Sequence, residues 1–147
     1  ILWSGTSIRN LNGDYFATMT YIGHLSGTKD DLTVIENLRI SSALAGFEIN
    51  DTQASEALGY MGLGGREVLP VKVLSQGQRR RVALARLLVC KTSLWIMDEP
   101  LVALDVLAVK LIQELLERHL KQGGMVVTTT HQEIDLTATS TTQLHLA

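Results

Sequence analysis

Hydrophobic and polar positions change period several times along the chain, and each change predicts an element. The opening "ILWSG" reads as a strand already under way. "YFATMTYI", Tyr15 to Ile22, alternates aromatic and β-branched residues and predicts a strand. Gly23 to Asp31 is polar and glycine-containing, a loop. At Thr33 the period lengthens. "VIENLRISSALA" predicts a helix that stops at Gly46, with Thr33 and Glu36 spaced as a capping box. A second helix from Asp51 puts Ala54, Ala57, Leu58 and Met61 on one face and ends at Gly62. "GLGGREVLPVKV" is loop, because Pro70 blocks helix there. Ser75 opens a third helix, again with Gln78 three residues on. "SLWIM" is a short continuous apolar run, a buried strand. The longest helix spans Val106 to Gln122, with Leu107, Leu111, Ile112 and Leu115 as its apolar stripe. Glu114 with Arg118 and Glu117 with Lys121 are spaced as ion pairs on its wet side. Gly123 and Gly124 end it, "MVVTTT" follows as a second buried strand running into His131, and "TTQLHL" is a candidate edge strand.

Strand, helical insert, strand, helix, strand is an α/β order with a parallel core. Ligands of such sheets sit at the carboxyl ends of the strands. Asp98 and His131 both fall there, each just after an apolar run. Adjacent strand residues point in different directions, so Asp98 and Glu99 can hold different tasks. A carboxylate at a strand tip can hold magnesium through water, and its neighbour can deprotonate an attacking water. Two acids in a solvated turn are the plainer alternative; Trp95, Ile96 and Met97 before them and Pro100 after favour function. In "LSQGQ", Gly77 lets the backbone approach a ligand, Ser75 supplies a hydroxyl, and the helix start supplies free amides for an anion. An ordinary N-cap accounts for the same residues. Arg79, Arg80 and Arg81 read as a solvated basic face.

Composition narrows the classes. The 147 residues are 46% hydrophobic and 19% charged, enough for one domain with a core and unlike a disordered chain. Thirteen basic against fifteen acidic residues give a net charge of −2, so no basic field points to nucleic acid. The one cysteine, Cys90, excludes an intrachain disulfide and reads best as a packing thiol. No run of 18 apolar residues would span a bilayer.

The motifs together resemble those of ATP-binding cassette (ABC) proteins. "LSQGQRRRVALARL" resembles the signature motif and "LWIMDEP" the Walker B strand. "ALD", ending in Asp105, resembles the D-loop; "TTTHQ", with His131, the switch-histidine loop; "LTVIENL", the segment after the Q-loop. "YIGH", "LTVIENLR" and "GGMVVTTTHQ" are similar, more narrowly, to the ATPase subunits of bacterial cytochrome c maturation exporters. The resemblance implies a P-loop NTPase fold of the ABC type with a helical subdomain inserted between core strands. Residues 1–23 would be a core remnant, 24–90 the helical subdomain with the signature helix, and 91–147 the catalytic core. It implies ATP and Mg²⁺ as ligands. Asp98 would organise the metal and its waters, Glu99 would be the general base, and His131 would contact the γ-phosphate. Ser75, Gly77 and Gln78 would bind the γ-phosphate of ATP on the opposite subunit, and Asp105 would cross the dimer interface. His24 stands where most members have the Q-loop glutamine, and a loop histidine without a ligand is its other reading. Implied partners are a second cassette in a homodimer and an integral membrane subunit, with residues 36–61 as the docking surface. The implied place is the cytoplasmic face of the bacterial inner membrane, and no nucleic acid is implied.

Two departures matter. Gln76 replaces the second small residue of the signature. No "GxxxxGK[ST]" phosphate loop occurs anywhere in the chain. The chain opens on Ile1, and the expectation is that it begins inside the domain, downstream of that loop. Without the loop nothing cradles the β-phosphate, so this chain alone is expected not to hydrolyse ATP. The readings are therefore an ATPase subunit driving haem export or release of a haem chaperone, the ATPase subunit of another ABC transporter, or a non-hydrolytic remnant that only docks a partner.

Overall fold

A computed structural model describes residues 1–131 together with Leu136 and Thr142. Apart from Thr142, the candidate strand "TTQLHL" lies outside the described residues. The chain enters through a small antiparallel hairpin, β1 (Leu2–Trp3) and β2 (Thr6–Ser7). A short helix, α1 (Asn12–Ala17), leads directly into β3 (Met19–Ile22). The strand expected over Tyr15–Ile22 is thus only half a strand. Its aromatic half is helical because Tyr15 packs edge-on against Trp3, with ring centroids 5.8 Å apart, and Thr18 closes the helix by donating to the Tyr15 carbonyl at 2.7 Å.

The helical insert follows as α2 (Val34–Leu44), α3 (Asp51–Tyr60), α4 (Gln76–Leu84) and α5 (Arg86–Val89). Reciprocal capping boxes open α2 through Thr33 and Glu36 and α4 through Ser75 and Gln78, as expected. A third opens α3 through Asn50 and Gln53. Gly46, Gly62 and Gly123 take positive φ just past α2, α3 and the last long helix, the conformation that lets a chain leave a helix without a Cβ clash. Asn37, almost fully buried, accepts from the Lys29 amide and donates to the carbonyls of Lys29, Leu32 and Thr33. That one side chain ties the loop after β3 to the first turns of α2.

Then come β4 (Leu94–Asp98), α6 (Val106–Lys121) and β5 (Met125–Thr129). The strands β3, β4 and β5 form a parallel sheet in that order, with β4 central. One continuous apolar cluster joins Ile22, the insert residues Val34, Leu38, Leu58 and Met61, and Trp95, Met97, Ile112 and Leu116. It runs through all three expected segments of the chain.

Three expectations need correcting. Leu107 is 79% exposed, and the buried stripe of α6 is Ala108, Ile112, Leu115 and Leu116. With Ile112 facing the sheet, positions four before and three or four after share its face; Leu107, five before, lies about 140° round the helix. Arg118 lies over the Tyr60 ring, 5.3 Å from its centroid, rather than on Glu114, whereas Lys121 and Glu117 do pair at 3.1 Å. The strand over "MVVTTT" is not buried on both faces either. Met125 and Val127 share an exposed face with Tyr21, because no described residues cover that side of the sheet.

Candidate active site

The central strand ends on Asp98, and the next residue leaves the strand sharply. Glu99 takes φ +49°, a left-handed conformation costing a non-glycine residue about 1–2 kcal/mol. It persists because both of its peptide groups are held. Its N–H donates to the Thr129 carbonyl at 3.0 Å and to the Thr129 hydroxyl oxygen at 3.3 Å. Its carbonyl accepts from Arg80 at 2.9 Å. The side chain is turned inward, 19% exposed, with Oε1 3.5 Å from Nε2 of an almost fully exposed His131. Asp98 Oδ1 accepts the Thr129 hydroxyl at 2.5 Å, and among the described residues no hydrogen bond engages Oδ2. The tip of β5 therefore positions both acids.

Arg80 organises the rest. Far from lying on a solvated face, it is 3% exposed. Nε donates to the Pro100 carbonyl at 3.3 Å, Nη1 to those of Gly23 at 2.6 Å and His24 at 3.2 Å, and Nη2 to those of Asp98 at 2.7 Å and Glu99 at 2.9 Å. These five bonds match the five N–H donors of a guanidinium. Burial pushes its pKa down, while the nearby charges of Asp98 and Glu99 oppose that shift. Arginine ionises so far above neutrality that it stays cationic. Its neighbours are also engaged. Arg79 pairs with Asp30 at 2.5 Å and donates to the Leu74 and Lys72 carbonyls, and Arg81 donates to the Met61 carbonyl at 3.3 Å. Each finds local acceptors because the loop before α4 and the end of α3 expose carbonyls beside it.

The other expected residues fall around this centre. The His24 carbonyl lies on Arg80, while the residue itself is exposed. Ser75 is exposed; its hydroxyl oxygen accepts from the Gln78 amide at 3.2 Å, leaving its proton free to donate outward. The Gln78 side-chain Oε1 accepts from the Ser75 amide at 2.9 Å. A Cβ at Gly77 would stand 2.4 Å from the Ala103 carbonyl. The close approach that requires glycine here is thus made by the chain's own Ala103, which is itself at positive φ. Asp105 is exposed and caps α6 by accepting from the Ala108 amide at 2.8 Å.

The structure brings Asp98, Glu99, His131 and the His24 backbone together, and seats Gly77 on the loop that follows them. Ser75 stays open to solvent. Among the described residues no group of three or more His, Cys, Asp or Glu could enclose a metal. One carboxylate with a free oxygen at a strand tip does fit magnesium that arrives with phosphates and keeps its waters. A cleft of about 690 Å³ lies at the opposite, amino end of the sheet, over Trp95, His119 and Gly124. Sequence reasoning missed Arg80 and Thr129. Arginines shortly after a helix N-terminus oppose the helix dipole, which was the available signal for Arg80.

Comparison with known proteins fits this geometry. The sequence profile of the ABC transporter family matches residues 1–102. A cytochrome c biogenesis ATP-binding export protein CcmA from Nitrosospira multiformis is 66% identical over 99% of this chain, which covers 71% of that protein. Its namesake from Nitrosomonas europaea is 63% identical over the whole chain, covering 69% of that protein. Among solved structures, an ABC transporter ATP-binding protein from Pyrococcus furiosus superposes with a TM-score of 0.75, at 21% identity, over 90% of this chain and 64% of that one. An ATP-binding cassette in a dimeric post-hydrolysis state, bound to ADP and Pi, gives 0.74 at 24% identity, over 88% of this chain and 61% of that one. The last two likenesses establish the fold, an α/β ABC ATPase fold. Among the described residues no helix is long and apolar enough to cross a membrane. The chain belongs to the ABC transporter family and, within it, to the CcmA group of ATP-binding export proteins.

Proposed function

We propose that the carboxyl end of the sheet is the hydrolytic part of an ATP site in a cytochrome c biogenesis exporter. The observation that supports this most directly is Glu99, inward-turned and pinned in a left-handed conformation beside Asp98 and His131. In this reading Glu99 takes a proton from the water that attacks the γ-phosphate of ATP. His131 reaches the same phosphate and keeps the carboxylate and the water in line. Asp98 would hold magnesium through water with Oδ2, which no described residue engages, while Thr129 fixes Oδ1. Bound magnesium would offset charge on the phosphates. Ser75, Gly77 and Gln78 close over ATP carried by a second copy of the chain, with the Ser75 hydroxyl and the start of α4 as donors to an anion. Asp105 and the exposed Leu107 lie at that dimer contact. His24 takes the Q-loop position. The dimer works against an integral membrane subunit, through residues 36–61, from the cytoplasmic face of the inner membrane. Haem, or a haem chaperone to be released, is the cargo class.

A second reading is a partner-docking module without hydrolysis. The two separate in the full gene product carrying Glu99→Gln, examined by light scattering. The hydrolytic reading expects an ATP-dependent dimer that a further Ser75→Arg abolishes by crowding the start of α4. A mass that ATP does not change, or a dimer indifferent to Ser75→Arg, would remove the composite site.

A further inference from the structure

We propose that Arg80 is the positioning residue for the hydrolytic base, joining the helix that begins at Ser75 both to Glu99 and to the loop at His24. The proposal rests on the hydrolytic reading of Glu99.

Arg80 does not touch the place where a phosphate would sit; every one of its hydrogen bonds ends on a backbone carbonyl. Those carbonyls belong to the turns where two neighbouring strands end, Gly23 and His24 after β3 and Asp98, Glu99 and Pro100 at the end of β4. Both turns are thereby attached to one rigid planar group on α4. A purely structural anchor could have used any of many carbonyls. This one grips the residue whose backbone is held against its own preference. Thr129 fixes the amide side of Glu99, and on its carbonyl side the Arg80 guanidinium at 2.9 Å is joined by the Val102 amide at 3.3 Å. Without the guanidinium only the longer Val102 bond still holds that carbonyl, so the strained turn can shift toward a relaxed φ and the carboxylate moves with it. A displacement of about 1 Å at a reacting group costs on the order of 100-fold in rate. Arg80 thus sets the direction of a carboxylate it does not bond. The same side chain transmits movement of α4 to the His24 loop, since a guanidinium shifted by the helix draws both turns with it.

The test is a double-mutant cycle on ATP hydrolysis in the full gene product. Arg80→Lys keeps the charge but replaces the planar fork with a point donor. It should lower kcat by roughly 10- to 100-fold while nucleotide affinity stays within about twofold, because positioning affects the reaction and not the binding. In the Glu99→Gln background the same change should alter the residual rate by less than about twofold, because residues that act as a unit are not additive. A loss that multiplies in full with Glu99→Gln overturns the proposal, as does a wild-type kcat in Arg80→Lys. If Arg80→Lys does not fold, Arg80→Gln enters the same cycle; failure of both to fold makes Arg80 a structural anchor only and equally overturns it. Failure of the function proposed above is recognised separately, by Glu99→Gln alone leaving hydrolysis intact.

Discussion

The two ends of the parallel sheet are built on opposite terms. At the amino end a cleft of about 690 Å³ opens over Trp95 and His119, whose rings stack at 3.7 Å. There the indole Nε1 and the imidazole Nε2 are buried with no hydrogen-bond partner among the described residues. At the carboxyl end the polar groups are densely paired. Arg80 makes five hydrogen bonds, and Thr129 serves Glu99 and Asp98 at once. Buried polar groups left unpaired cost free energy, and a strained residue survives only where its surroundings over-determine it. The contrast teaches that the volume of a cavity is a poor guide to chemistry here. The better guide is a backbone held against its preference by bonds that converge from α4 and β5.

The largest effect should come from deleting the convergence itself. Arg80→Ala takes the guanidinium away from five carbonyls, of which that of Glu99 keeps the Val102 amide, and should destabilise the gene product by about 3–5 kcal/mol in urea denaturation. A loss below 1 kcal/mol would mean that water replaces the guanidinium freely. Gly77→Ala comes next. Its methyl group would meet the Ala103 carbonyl at 2.4 Å, so the 103 loop must move, at about 1–3 kcal/mol. Thermal melting reads this directly, and an unchanged midpoint would show that the loop yields without cost.

At the amino end the expected effects are small and of different sign. Trp95→Phe keeps a ring on His119 and removes a buried N–H that has no acceptor among the described residues. It should change stability by no more than about 1 kcal/mol in either direction and leave ATP hydrolysis unaltered. A large fall in activity would make the amino-end cleft part of the mechanism.

The smallest effect is a pH slope. Burial pushes the His119 pKa down, against opposing hydrogen bonds to the Met125 and Ser93 backbone. The unfolded chain then takes up the proton first as pH falls. Stability from this group is therefore fully present above the unfolded value, about 6.5, and is lost as pH drops from there toward the folded value. His119→Phe should flatten that part of the melting-temperature profile. A steeper acid-side fall in the variant would reverse the assigned direction.

What was legible in the sequence was local. Thr33 with Glu36 and Ser75 with Gln78 predict their helix starts because both partners of each box lie within one turn. Gly46, Gly62 and Gly123 mark exits for an equally local reason. The acids of "LWIMDEP" and the histidine after "MVVTTT" could be placed at strand ends from the apolar runs alone. What failed depended on distant partners. Arg80 reaches carbonyls 18 to 57 residues away, so a tri-arginine run reads as surface until those turns are in place. Tyr15 is helical through a contact with Trp3 that alternation does not encode. Leu107 was misplaced because a helix stripe one residue out of phase looks equally apolar in sequence. The left-handed turn at Glu99 had no signal either, since glutamate has no preference for that conformation.

The central claim is that Glu99 is the base of an ATP-hydrolysing site. The most direct measurement is the single-turnover rate of ATP hydrolysis by the full gene product, wild type against Glu99→Gln, with nucleotide binding measured on the same samples. The account predicts unchanged binding and a rate lower by roughly 10²–10⁴-fold, the usual contribution of a positioned general base. Hydrolysis by Glu99→Gln at the wild-type rate would contradict it.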